Sequence, residues 1–198
     1  MNACLSTTPQ SRRLVEQQAG LPATGRPGRD FELIVLGFGS NRGRRFYYIK
    51  KAIEKLSLSG DFNLIAVSGL YETEPWGFKN QKKFINCIVA GLTNLKPYAF
   101  FKVIKKIENK LGRLHRKKWR EREIDIDILF YGKNVYKTGR LIIPHPVLHK
   151  RNFVLVPLSE IMPEFVHPVL RKSIRYLLKI SEDAAGVSKY HRELPVGK

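Results

Sequence analysis

The spacing of apolar residues predicts strands and helices from residue 31 onward. Ile49, Ala52, Ile53 and Leu56 recur with the period of an amphipathic helix, and the positions between them are mainly charged. A similar apolar stripe follows Pro97, which suits the first turn of a helix. The predicted strands are residues 31–36, 62–73, 83–93 and 123–132, and the predicted helices are residues 44–58, 96–111, 153–161 and 173–180.

The order of these elements up to residue 131 is strand, helix, strand, strand, helix, strand. This order predicts a ferredoxin-like α+β sandwich, in which an antiparallel sheet carries helices on one face. The other face would be free for a ligand and would carry the active site. Residues 37–41 match neither GxGxxG nor the Walker pattern, so we expect them to form a tight turn between the first strand and the first helix.

Composition predicts one domain with two flanking segments. Residues 1–30 mix Pro, Gly, Ser and Gln without apolar periodicity, which indicates a disordered N-terminal extension. Residues 31–182 form the predicted domain, and residues 183–198 are expected to be a C-terminal tail. A total of 198 residues suits one hydrophobic core, and we expect a monomer.

The charge of the chain indicates an anionic partner. Lysine and arginine number 36 against 17 acidic residues, which gives a formal net charge of +19. Nucleic acid and a nucleotide triphosphate fit that charge equally well. Cys4 and Cys87 have no disulfide or metal spacing, which favours a reducing compartment, the cytoplasm. No apolar run approaches the ~18 residues of a membrane span, so no membrane partner is expected.

The stretch "WREREIDIDILFYG" carries the strongest chemical signal. Side chains alternate faces along a strand, so Asp125 and Asp127 should share one face while the isoleucines occupy the other. Their α-carbons should be roughly 6.5 to 7 Å apart, close enough for both carboxylates to reach one or two divalent cations. Hard oxygen ligands suit magnesium, which completes its coordination sphere with water and substrate phosphates.

A cationic loop precedes this strand. A pair of acids can simply lie on the solvent side of a strand, and a charge run can be a solvated surface. A metal-bound polyphosphate explains both features together, because cations must neutralise the phosphate oxygens beside the metal. The cations of the loop are Arg113, Arg116, Lys117, Lys118, Arg120 and Arg122.

These residues carry a resemblance to a known family. An arginine followed by Asp-x-Asp in an aliphatic strand is found here as Arg122-Glu-Ile-Asp125-Ile-Asp127. The blocks "GSN", "YETEPWG", "FIN", "ENKLGR" and "PHPVLHKRNFVLVPLSEIMPE" occur in compatible order. From about residue 34 to residue 180, the chain resembles the 6-hydroxymethyl-7,8-dihydropterin pyrophosphokinases, enzymes of folate biosynthesis.

The resemblance implies a ferredoxin-like enzyme that moves the terminal pyrophosphoryl group of ATP to the hydroxymethyl group of the pterin and leaves AMP. It implies two magnesium ions bridged by Asp125 and Asp127. The other implied residues fall into three groups. They are Arg113 and Arg122 for catalysis; Glu108, His115, Trp119, Arg140, His145 and Arg151 for the nucleotide; and Thr73, Trp76, Phe84, Asn86 and Phe153 for the pterin.

Three features depart from the family pattern, one of which is Pro146, which follows His145 where some members carry an aromatic residue. Arg120-Glu121 stands where the family usually has Gly-Pro, which affects the expected closure of the loop over the substrates. His115 stands where an arginine is common, which would weaken ATP binding or make it pH-dependent.

Two other functions fit parts of the sequence. A ferredoxin-like nucleic-acid-binding module would use the net charge, but no RNP1-like pattern is present, and two acids would repel phosphate without a metal. A two-aspartate nucleotidyl transferase would use the same magnesium chemistry on another substrate. Nucleic acid is therefore not the expected partner. The identity of the reaction products distinguishes a nucleotidyl transferase from a pyrophosphokinase.

Overall fold

The computed structural model describes residues 31–75, 80–114 and 120–194. None of the helices in these ranges is long and apolar enough to cross a membrane. The strands are β1 (Glu32–Ser40), β2 (Asn63–Val67), β3 (Tyr71–Thr73), β4 (Phe84–Thr93), β5 (Asp125–Tyr131), β6 (Tyr136–Thr138), β7 (Leu141–Ile143) and β8 (Val187–Lys189). The helices are α1 (Arg45–Ser57), α2 (Pro97–Lys110), α3 (Asn152–Ile161) and α4 (Ile174–Lys179), with a 3-10 helix at Leu148–Lys150.

The main sheet has six strands, all paired antiparallel. Its order is β5, β1, β4, β3 and β8, and β2 pairs with the far end of β4. If β2 and β3 are counted as one interrupted strand, the order is fourth, first, third, second, with α1 and α2 as the two crossover connections. This arrangement confirms the predicted ferredoxin-like α+β sandwich. β6 and β7 form a separate two-stranded sheet.

Both faces of the sheet are packed against helices. On one face, Phe38 and its neighbours bury α1 and α2 through Ile49 and Ile104. On the other face, α3 and α4 cover Val35 and Ala90 among other residues. The predicted helical face is the α1/α2 face, and the structure adds two helices to the face expected to be free for a ligand. The remaining part of that second face is open.

The first strand is longer than predicted, and the expected turn at residues 37–41 is wrong. β1 continues through Gly37 and Gly39 to Ser40, paired with β4 on one side and with β5 on the other. Glycine weakens an isolated strand, but here both neighbours supply hydrogen bonds to a central strand. The helix therefore begins only at Arg45.

Two further elements differ from the sequence prediction. Residues 62–73 form two strands, with an interruption at residues 68–70. At the start of the interruption, the Ser68 amide donates a 2.9 Å hydrogen bond to the Ile88 carbonyl of β4. The Ser68 hydroxyl, in place of a backbone carbonyl, accepts a 2.9 Å hydrogen bond from the Ile88 amide. The segment predicted as a tail contains β8, which extends the sheet by pairing with β3. The described part of residues 183–198 is thus integrated into the fold.

Gly91 of β4 illustrates how closely the α1/α2 core is packed. The ring of Phe62, buried at 3% exposure, lies directly over Gly91. A β-carbon at position 91 would overlap that ring and would lie 2.6 Å from the carbonyl oxygen of Asn63. Only a residue without a side chain fits between these groups.

We expect Gly91→Ala to lower the free energy of unfolding by about 2 to 3 kcal/mol, because the ring and the backbone of β2 must both move. Chemical denaturation monitored by circular dichroism measures this change. Gly139→Ala is the matched control, since no atom lies within 4 Å of its added carbon. Its expected effect is below about 0.5 kcal/mol. Equal stabilities for the two variants would contradict this account of the core.

Candidate active site

A cavity of about 280 Å³ opens on the sheet face that carries α3, beside that helix. Strands β1, β4 and β5 form its floor, and the N-terminal end of α3 and the residues around β3 form its walls. Its lining includes acidic, basic, amide and aromatic side chains. The described lining residues are Gly37, Phe38, Gly39, Thr73, Glu74, Gln81, Phe84, Asn86, Cys87, Ile88, Arg120, Arg122, Asp125, Asp127, Leu129, His145, Arg151, Phe153 and Val154.

Two glycines of β1 form the middle of the floor. The strand register places Gly39 opposite Asp125 and Gly37 opposite Asp127. On the other side of β1, Gly39 pairs with Asn86 of β4. Because neither glycine has a side chain, Asn86 Oδ1 can lie close over Gly39 and the Leu129 side chain over Gly37, and both glycines line the cavity.

The two acids share the cavity face, as strand alternation predicts. Both line the cavity, while Ile126 between them is buried at 1% exposure in the opposite core. Burial, together with the neighbouring Asp125 carboxylate, raises the pKa of Asp127 well above its usual range. The pair therefore concentrates negative charge that favours a bound cation.

Two arginines contact Asp125. Arg113 Nη1 lies 2.9 Å from Asp125 Oδ1, and Arg122 Nη1 donates a hydrogen bond to Asp125 Oδ2. Arg122 also lines the cavity, whereas Arg113 is not among the described lining residues. Both predicted catalytic arginines thus lie at the acid pair, on its Asp125 side.

Glu108 supports this cluster from behind. It is buried at 1% exposure on α2, pairs with Arg113, and lies 2.9 Å from Lys105 Nζ. Its Oε1 accepts a 2.8 Å hydrogen bond from the amide of Ile126, the residue between the two aspartates. It is not among the described lining residues, so its contacts are those of a residue that holds β5 and Arg113 in place.

The described residues among those predicted to hold the pterin line the floor and both walls of the cavity, apart from the two acids. Phe84 at the start of β4 and Phe153 in the first turn of α3 line the same cavity. Asn86 is buried, and its Nδ2 donates a 2.7 Å hydrogen bond to Thr73 Oγ1. This bond leaves Asn86 Oδ1 beside Gly39, in the floor of the cavity.

Among the residues predicted to bind the nucleotide, His145 and Arg151 line the cavity, whereas Glu108 and Arg140 are not among its described lining residues. Burial, with the nearby Arg151 cation, lowers the pKa of His145 to about 4, so this imidazole is neutral at physiological pH. The Arg151 guanidinium lies 5.6 Å from the ring centre of Phe153. Arg140 is in the turn between β6 and β7 and is not among the described lining residues. The predicted residues His115, Trp119 and Trp76 lie outside the described part of the chain.

Sequence reasoning missed Asn41, which ties two loops of the site together. Asn41 is fully buried; its Oδ1 accepts the amide of Arg122 at 2.8 Å, and its own amide donates to the Arg122 carbonyl at 3.1 Å. Its Nδ2 donates to Gln81 Oε1 at 3.0 Å and to the Lys82 carbonyl at 3.2 Å. The motif "GSN" contained this residue, but only the fold brings its partners together.

The acid pair fits a hard divalent cation. Carboxylate oxygens are the ligands that magnesium prefers, and burial together with the neighbouring Asp125 carboxylate raises the pKa of Asp127, a state that a bound cation would relieve. Within the described ranges no group of three or more His, Cys, Asp or Glu side chains is placed to bind a metal.

Comparison with known proteins identifies the family. Residues 35–163 match the 7,8-dihydro-6-hydroxymethylpterin-pyrophosphokinase (HPPK) family. The chain belongs to this family. The resemblance seen in the motifs is therefore confirmed, and the acid strand, the glycine floor and the α3 wall all lie within the matched range.

Individual relatives agree with this assignment. The chain is 46% identical over 143 residues to the 2-amino-4-hydroxy-6-hydroxymethyldihydropteridine pyrophosphokinase of Aquifex aeolicus, covering 72% of this chain and 88% of that protein. It is 38% identical over 126 residues to the enzyme of the same name from Bacillus subtilis, covering 64% and 75%. It is 41% identical over 138 residues to the folic acid synthesis protein FOL1 of Dictyostelium discoideum, covering 70% of this chain and 21% of that protein.

Solved structures agree on the fold. The Plasmodium falciparum HPPK-DHPS with pteroate superposes with a TM-score of 0.63 at 19% identity, covering 78% of this chain and 43% of that one. This chain thus spans less than half of that protein, as it spans about a fifth of the Dictyostelium relative.

The raised pKa of Asp127 predicts a conflict between stability and metal binding. The raised pKa means that ionising Asp127 costs more in the folded chain than in the unfolded chain. At pH 8 without divalent cations, we expect Asp127→Asn to raise the free energy of unfolding by about 1 to 2 kcal/mol, because the amide is never charged. The gain should shrink as pH falls through about 7, the raised pKa of Asp127 in the folded wild type, and it should be largely lost near pH 4, where the carboxyl of the unfolded chain is protonated as well.

Denaturant titrations at several pH values in EDTA measure this difference. Asp61→Asn is the control, because Asp61 lies at the other end of β4, where its carbonyl accepts from Thr93. A variant at position 127 that is less stable than the wild type at pH 8 would contradict the assignment of an electrostatic cost to this carboxylate.

Proposed function

We propose that this protein transfers a pyrophosphoryl group from ATP to the hydroxymethyl group of 6-hydroxymethyl-7,8-dihydropterin, releasing AMP, as a step of folate biosynthesis. The observation that carries the proposal is one cavity that is lined by Asp125 and Asp127, by Phe84 and Phe153, and by basic side chains. Family membership and the pyrophosphokinase names of the relatives support it.

Two magnesium ions are the proposed cofactors, and Asp125 and Asp127 would hold them. When bound, magnesium would neutralise charge on the phosphate oxygens and favour ionisation of the attacking hydroxyl. Asp127 suits this role because its environment disfavours an ionised carboxylate without a compensating cation. Asp125 is already partly neutralised by its two arginines, which leaves the pair asymmetric.

The basic side chains around the acids would bind the triphosphate. Arg120, Arg122 and Arg151 line the cavity and supply fixed positive charge near the aspartates. His145 is neutral, so it would act as a hydrogen-bonding group rather than as a cation. Arg113 would act beside Asp125, where Glu108 holds it. The predicted nucleotide contacts of His115, Trp119 and Arg140 remain part of this proposal.

The aromatic and amide side chains of the cavity would bind the pterin ring. Phe84 and Phe153 offer aromatic faces for a flat heterocycle, and stacking orients such a ring strongly. Asn86 and Thr73, already joined by a hydrogen bond, would read the polar edge of the ring, and Trp76 is the further predicted contact. The hydroxymethyl group would then point across the glycine floor toward the acids, in line with the phosphates.

Incubation of the protein with ATP, magnesium and the hydroxymethyl pterin should yield AMP and the pterin diphosphate. Asp127→Ala should reduce turnover at least about a hundredfold, because one of the two proposed metal ligands is lost. Product analysis by ion-exchange chromatography measures both results. EDTA should abolish the reaction in the wild type.

Asp61→Asn serves as the matched control for loss of an acidic side chain and should keep its activity. Formation of ADP or inorganic pyrophosphate instead of AMP and the pterin diphosphate would refute the proposal, and inorganic pyrophosphate would point to a nucleotidyl transferase. Full activity of the Asp127 variant would show that this carboxylate is not a metal ligand.

Gly39 gives a test of the pterin wall. A β-carbon at position 39 would lie 2.9 Å from Asn86 Oδ1, so Gly39→Ala must displace the amide that pairs with Thr73. We expect the KM for the pterin to rise about tenfold, equivalent to one lost hydrogen bond, with a smaller change in the KM for ATP.

Steady-state kinetics with each substrate varied in turn separates the two effects. Gly139→Ala adds the same carbon in open space and should leave both constants unchanged. An equal rise in both KM values would show that Gly39 does not act through the Asn86 amide.

A further inference from the structure

The C-terminal segment 183–190, called here the strap, connects the two walls of the cavity. At its beginning, Asp183 contacts the first turn of α3; at its end, β8 pairs with β3. The strap lies outside residues 35–163, the range matched by the family. It nevertheless touches the neighbours of several residues that line the cavity.

Asp183 holds the start of α3. Its Oδ2 accepts a 2.7 Å hydrogen bond from the amide of Asn152, the first residue of the helix, and its carbonyl accepts one of 2.7 Å from Asn152 Nδ2. Its Oδ1 accepts the amide of Ala185 at 3.0 Å, which fixes the carboxylate itself. A carboxylate at a helix N-terminus satisfies an otherwise unpaired amide and interacts favourably with the helix dipole.

The capped residue lies between two residues of the cavity. Arg151 and Phe153, on either side of Asn152, both line the cavity, and their side chains stack with the guanidinium 5.6 Å from the ring centre. Because consecutive residues share backbone geometry, fixing the Asn152 amide also fixes the directions of both neighbours. The Asp183 charge also acts on Arg151, where it opposes the effect of burial on the pKa of the guanidinium.

The other end of the strap fixes the opposite wall. Val187 pairs with Thr73 in the β3–β8 ladder, and the amide of Tyr190 donates a 2.8 Å hydrogen bond to the Leu70 carbonyl. Thr73 in turn accepts from Asn86. Four residue steps separate Asp183 from Val187, so the strap sets the distance between the Phe153 wall and the Thr73 wall.

We propose that Asp183 is a positioning residue for substrate binding, which acts by capping α3 and so placing Phe153 and Arg151 against the Thr73 wall. This inference rests on the proposed function for its substrates. Asp183 touches neither the acid pair nor, by this proposal, the reacting atoms. Its loss should weaken binding and leave the chemical step largely intact.

The test compares Asp183→Ala with Glu182→Ala, a matched loss of the adjacent, exposed acid. We expect Asp183→Ala to raise the KM for the pterin about tenfold, to raise the KM for ATP less, and to change kcat by less than about threefold. Glu182→Ala should match the wild type. Asp183→Asn keeps an acceptor oxygen but loses the charge, so its KM for the pterin should lie between those of the wild type and Asp183→Ala. If Asp183→Ala does not fold, Asp183→Asn takes its place in the comparison.

Amide hydrogen exchange provides a readout that does not depend on activity. The Asn152 amide should exchange faster in Asp183→Ala, while amides in the middle of α2 keep their wild-type rates. Faster exchange with a raised pterin KM supports the inference. An unchanged KM overturns it, as does a fall in kcat with unchanged KM, which would indicate partial unfolding. A wild type without AMP formation would refute the proposed function instead.

Discussion

The placement of two carboxylates side by side on one sheet face is the constraint on which the rest of the site depends. Burial and the neighbouring Asp125 carboxylate make the ionised Asp127 unfavourable, and within the described part of the chain the direct arginine contacts are made to Asp125. Asp125 receives Arg113 and Arg122, and Glu108 behind Arg113 keeps that cation from moving away. A chain of alternating charges therefore ends at a carboxylate that a cation would stabilise. The ionised Asp127 lowers the stability of the fold, and a bound cation would restore that stability.

The sheet makes this arrangement possible because its two faces are used differently. The α1/α2 face is fully packed, so the positions of the strands are fixed by the core and not by a ligand. On the other face, Gly37 and Gly39 add no side chains of their own next to the acids. The cavity lies there, beside α3 and the acid strand.

Features of the site that depend on residues close in sequence could be predicted, and features that depend on residues far apart in sequence could not. The shared face of Asp125 and Asp127 follows from strand alternation, a local rule, and the family motifs named most of the lining residues. The role of Gly39 as floor was missed because glycine locally favours a turn, and only pairing on both sides keeps it in a strand. Asn41 and Asp183 could not be found locally, since their partners lie 81 and 31 residues away.

The strap lies outside the family-matched range, in a different part of the chain from the acid pair. The acids and their cations come from residues 35–163, whereas one support of the substrate wall comes from residues 183–190. Contacts that hold a wall affect how well a substrate is bound, and contacts to the reacting group affect the chemical step. On the proposed role of Asp183, the C-terminal segment would affect substrate affinity, while the acid pair, in a separate part of the chain, would serve the chemical step.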